Sequence, residues 1–110
     1  MGARAIPPTK RSHIKTGTYV GDGNDNRNLD IGVNLANALY AWVIVKSPGV
    51  ADALHRIEYG QGDNTMYFSA GVDTTNAIQA FTTTGFQLGT DNRVNQSGIT
   101  FRYITVWENQ

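Results

Sequence analysis

Cysteine is absent from this chain of 110 residues, so neither disulfides nor thiolate metal sites contribute to its fold or its chemistry. Long apolar runs are missing too. The longest, Ala38 to Val45, has the length of a strand and falls far short of the roughly 18 residues that cross a bilayer. No signal-peptide core opens the sequence, where Arg4 gives way to Ile6-Pro7-Pro8, and no secretory leader is expected. Residues that do chemistry are equally thin. His13 and His55 are the only histidines and lack the paired spacing of a metal site. Glu58 and Glu108 are the only glutamates and imply no carboxylate pair. Ser12, Ser47, Ser69 and Ser97 sit in arm-like or turn-like contexts without a neighbouring base. Gly21-Asp22-Gly23 is followed by no Lys-Ser/Thr and is not a phosphate loop. No enzyme and no cofactor are expected.

Net charge is zero but unevenly placed. Residues 1–20 carry Arg4, Lys10, Arg11 and Lys15 and no acid, whereas residues 21–110 carry five basic against nine acidic side chains, a net of −4. A basic arm ahead of a mildly acidic body reads as a segment that docks on something negative. Four cations without interleaved aromatics give little affinity for nucleic acid at physiological salt, so no specific nucleic-acid partner is expected.

Apolar content of 40% on a chain of this length suits one globular domain that buries about two thirds of its unfolded surface. The pattern is that of strands. Phe86 and Leu88 alternate with Gln87, and Ile99, Phe101, Tyr103, Thr105 and Trp107 alternate with Thr100, Arg102, Ile104 and Val106, which reads as a closing hairpin. The last of these looks like the central strand of a sandwich. Further strands are expected at 13–20, 27–31, 39–46, 53–59 and 65–69, the third so apolar that it reads as buried on both faces. Residues 73–81 are ambiguous between a helical turn and a loop anchored by Ile78 and Phe81. Seven or eight short strands with turn signals every 8–12 residues indicate an all-β, single-domain antiparallel β-sandwich or jelly roll over residues 13–110, preceded by an extended arm at 1–12.

Three local patterns point to binding. Asp22, Asn24 and Asn26 space like the opening of a calcium loop, but an EF-hand would place Gly and Glu where Arg27 and Val33 stand, so a polar turn is expected. Asn95-Gln96-Ser97 is formally a glycosylation acceptor, read here as a chance match in a loop. Tyr59, Asp63, Asn64, Asp91 and Asn92 are loop residues able to stack on and hydrogen-bond a sugar ring.

Two segments taken together resemble the small β-sandwich modules of bacteriophage virion surface proteins. The first is Gly17-Thr18-Tyr19-Val20-Gly21-Asp22-Gly23 with Leu29-Asp30-Ile31-Gly32 and Trp42-Val43-Ile44-Val45-Lys46. The second is Gly85-Phe86-Gln87-Leu88-Gly89, Val94-Asn95-Gln96-Ser97-Gly98 and Phe101-Arg102-Tyr103. The resemblance spans residues 16–107 and implies a non-enzymatic structural protein of the virion, assembled in the host cytoplasm. A capsid decoration (cement) protein is the reading that fits a compact body with an arm. Arg4, Ile6, Pro7, Pro8, Lys10, Arg11 and Lys15 would then fasten it to the major capsid protein or another virion protein, with a homo-oligomer expected, a trimer among the options, and no membrane partner. The alternative is the receptor- or glycan-binding tip of a tail or head fibre, using Tyr59, Asp63, Asn64, Asp91 and Asn92.

Overall fold

The computed structural model describes residues 12–48, 53–57, 62–67 and 73–109. Nine strands alternate with turns: β1 (Ser12–Val20), β2 (Arg27–Asp30), β3 (Tyr40–Lys46), β4 (Leu54–Ile57), β5 (Thr65–Tyr67), β6 (Asp73–Thr74), β7 (Ile78–Phe81), β8 (Gly85–Leu88) and β9 (Thr100–Glu108). One helical turn, α1 (Asn92–Asn95), precedes β9. The strands form two antiparallel sheets, of order β1-β9-β3-β4-β5-β6 and β2-β8-β7. Their facing sides share one core, so the architecture is the expected antiparallel β-sandwich. Ser12, read from sequence as the end of the arm, is the first residue of β1.

The alternation that marked β9 is what buries it. Phe101, Tyr103 and Thr105 point inward while Thr100, Arg102 and Ile104 point out, and β9 lies between β1 and β3 as the central strand it was expected to be. Across the sandwich, Phe86 on β8 is fully buried and meets Tyr19 and Tyr103 edge-on, at centroid separations of 6.4 and 5.7 Å. Tyr19 stacks on Phe101 at 5.4 Å. Burying each such ring stabilises the fold by about 1.5–3 kcal/mol, and each favourable ring pair adds about 0.5–1.5 kcal/mol. Gly17 leaves room for the Tyr103 ring beneath it; a Cβ at that position would lie 2.6 Å from the Tyr103 hydroxyl.

Three expectations change on folding. Strands β8 and β9 are not a hairpin: β8 pairs with β2 and β7, β9 with β1 and β3. The segment between them crosses from one sheet to the other through α1, whose Val94 and Asn95 are buried. Residues 73–81 form β6, a bend and β7 rather than a helical turn, with a bulge between Ile78 and Ala80. Gln79 is the extra residue, while Ile78 stays paired with Leu88. The Ile78 backbone groups are held from the large sheet: Thr65 Oγ1 accepts from Ile78 N at 2.9 Å and donates to Ile78 O at 3.1 Å, and Arg56 Nη1 donates to the same carbonyl at 3.0 Å. Finally, β3 is buried on one side only. Ala41, Val43 and Val45 face the core, whereas Tyr40 is exposed and Trp42 and Ile44 are half-buried.

Candidate interaction surface

Two regions of the folded chain gather polar or apolar side chains in a way that bears on binding. The first is the loop end of the sandwich. Asn95, fully buried, holds the 21–26 turn in place: its Oδ1 accepts from Asp22 N at 3.0 Å and Arg27 Nη1 at 3.1 Å, and its Nδ2 donates to Asn24 O at 2.8 Å and Gly89 O at 3.0 Å. With both amide hydrogens engaged inside the fold, Asn95 offers no nitrogen for glycosylation, in keeping with a chance sequon. The turn itself is polar, as expected. Asp22 Oδ1 accepts from Asn24 N at 2.9 Å, and Gly23 and Asn26 adopt left-handed φ values of 74° and 52°. The hydrogen bond from the Asn24 backbone, helped by the Arg27 guanidinium, holds the Asp22 carboxyl below its ordinary pKa.

Of the residues read as sugar contacts, Tyr59 lies outside the described residues, Asn92 opens α1, and Asp63 and Asp91 both meet Asn76. Both carboxylate oxygens of Asp63 accept from Asn76 N, at 3.2 and 3.3 Å, and Asp91 N donates to Asn76 O at 2.8 Å. Asn76 has a left-handed φ of 60°, which this bracing supports. Asp91 caps α1 by accepting from Arg93 N at 2.8 Å and is engaged by the Arg93 guanidinium at Nε, 2.9 Å, and Nη2, 2.5 Å. Asn64 O accepts from Arg56 Nη1 at 3.1 Å. Asp63 and Asp91 thus share Asn76 as a partner, and both aspartate carboxylates are engaged within the fold. Asn92 is exposed.

Of the arm residues, Arg4, Ile6, Pro7, Pro8, Lys10 and Arg11 lie outside the described residues. Lys15, on β1, donates from Nζ to Ile31 O at 2.6 Å and so ties the edge of the large sheet to the segment after β2.

The second region is the outer face of the six-stranded sheet. Strand register places Ile14, Val106, Trp42 and Ile57 side by side in one row, on β1, β9, β3 and β4. The next row holds Thr16, Ile104, Ile44, His55 and Met66. Ile14 is 69% exposed, and Ile57 and Ile104 are each 40% exposed. Beyond these rows the face turns polar at both ends. Thr18, Arg102 and Lys46 align at one end; Ser12, Glu108 and Tyr40 align at the other. Trp42 Nε1 donates to His55 Nδ1 at 3.0 Å, which assigns the proton of the neutral ring to Nε2. Burial lowers the His55 pKa, keeping the ring neutral in this apolar setting.

No family model, curated protein or solved structure matches this chain. What the site can do therefore rests on its residues. An apolar face four strands wide and framed by charges has the make-up of a contact surface. The sequence reading did not single this face out. Its signal was present in β3, whose unbroken Ala-Trp-Val-Ile-Val run asks for cover on both sides.

Proposed function

We propose that the chain is a non-enzymatic structural module of a bacteriophage virion, acting as a capsid decoration protein that works by assembly. The observation that carries this reading is the open apolar face of the six-stranded sheet, with the resemblance of residues 16–107 supplying the setting. Ser12 belongs to the Ser12–Glu108–Tyr40 row, so residues 1–11 join the body at the acidic end of that face. Fastening is then shared. Arg4, Lys10 and Arg11 pair with carboxylates of the capsid lattice, and repetition over a symmetric shell turns weak single contacts into firm attachment.

The test is co-sedimentation of the full chain with heads assembled without it. A variant carrying Arg4→Glu, Lys10→Glu and Arg11→Glu is expected to bind at least about tenfold more weakly, because reversed charges meet like charges at the contact. Undiminished binding by that variant, at an unchanged melting temperature, rules out attachment through the arm.

A further inference from the structure

We propose that the outer face of the six-stranded sheet is closed by a second copy of this chain, stacked face to face with its strands antiparallel about a two-fold axis. The inference rests on reading that face as a contact surface, and it holds wherever the protein works.

The first ground is the pattern of β3. β3 is apolar from Ala41 to Val45, a run that belongs between two layers, and among the described residues only one layer packs on it. The second ground is charge. Arg102 and Lys46 close one end of the apolar rows and Glu108 closes the other. Lys15, Thr105, Val43 and Arg56 share the register row midway between those ends. A two-fold axis along that row reverses strand direction while keeping each strand over its own counterpart. Arg102 then faces Glu108 of the second copy, and Lys46 faces its Tyr40.

The third ground is that the same operation matches the apolar rows to each other. Trp42 comes to lie over Ile44 of the second copy, Val106 over Ile104, Ile14 over Thr16 and Ile57 over His55. A two-fold axis parallel to the strands would instead keep Arg102 and Lys46 at the same end in both copies and set cation against cation. Size is also sufficient. The four strands β1, β9, β3 and β4 measure roughly 20 Å across and roughly 20 Å along the longer three, and side-chain relief raises the buried area toward the ~600 Å² per partner of a small specific association. A single extended segment would cover a band about 10 Å wide, about half of the four-strand face.

Sedimentation equilibrium on the full chain, over about 1–100 μM, tests the proposal. A monomer–dimer equilibrium is expected. Arg102→Glu sets Glu against Glu108 of the partner, and Glu108→Arg sets Arg against Arg102. Each is expected to weaken dimerisation about tenfold, and the double swap to recover it to within about threefold, because it restores opposite charges across the axis. Ile104→Lys is expected to abolish the dimer while leaving the melting temperature of the monomer intact. A chain that stays monomeric throughout, single swaps without effect, a double swap that fails to recover, or a trimer would each overturn the proposal. Because the measurement uses the purified chain alone, a failure to bind phage heads leaves its outcome untouched.

Discussion

Asn95 Nδ2 donates to the backbone carbonyl of Asn24 at 2.8 Å across a sequence separation of 71 residues. Through this amide the crossing between the two sheets and the turn between β1 and β2 become one unit. Replacing Asn95 with Ala strands the amide N–H of Asp22 and the carbonyls of Asn24 and Gly89. Unpaired groups of this kind cost about 1–3 kcal/mol each when buried, with water recovering part of the loss near the surface. Asn95→Ala is expected to destabilise the fold by about 3 kcal/mol, read from chemical denaturation at an unchanged m-value.

Thr65 offers a cleaner measurement, because valine has nearly its shape. Thr65→Val keeps the packing and removes the hydroxyl that both accepts from and donates to Ile78. Arg56 still reaches the Ile78 carbonyl, so the orphaned group is the Ile78 amide. A loss of about 1–3 kcal/mol is expected for Thr65→Val, and a smaller one for Thr65→Ser, which retains the hydroxyl. Equal stability of all three proteins in urea would show that the bulge does not depend on this clamp.

Acid stability should depend on Asp91. Burial pushes its carboxyl pKa up, but hydrogen bonds from the Arg93 side chain and backbone and from Thr74, with the charge of Arg93, more than offset that and leave it below 3.8. A carboxyl with a folded pKa below its unfolded one stabilises the fold fully above the unfolded value. That contribution disappears as pH falls through the folded value. The melting temperature is therefore expected to hold from neutral pH down to about 4 and to drop below it. Asp91→Asn, which keeps the helix cap and loses the charge, should melt lower at pH 7 and show a shallower acid limb.

The strands were readable because burial acts on each in a fixed period. Phe101, Tyr103 and Thr105 alternate whatever their neighbours are, and the same holds for Phe86 and Leu88. Which strand pairs with which is a property of the whole chain. Gly85–Leu88 and Thr100–Glu108, separated by a polar stretch, look like two arms of a hairpin. Only Val94, an apolar residue within that stretch and fully buried in the fold, hinted that the connection passes through the core. Asn95 was hidden for a related reason: its partners on the 21–26 turn lie some 70 residues away, and in its local context it is one more loop asparagine. Asp63 and Asp91 read in sequence as free loop acids, whereas their engagement with the Asn76 backbone and with Arg93 is visible only in three dimensions. The apolar face was half legible. The composition of β3 announced two-sided burial, whereas the row from Ile14 to Ile57 exists only once register sets four strands side by side.

The position of β9 also dictates a timetable. Ser12 pairs with Glu108 and Tyr40 pairs with Glu108 as well, so the strand between β1 and β3 is the last of the nine to be synthesised. A growing chain can join β3 to β4 early, but β1 and β3 have nothing between them until residues 100–108 have left the ribosome. Closure of the large sheet thus waits for β9 and is governed by the search for contacts of long sequence separation, which is slow. During that interval the edge of β3 that β9 later covers stays unpaired, and an unpaired apolar strand edge is the part of a folding chain most open to wrong pairing.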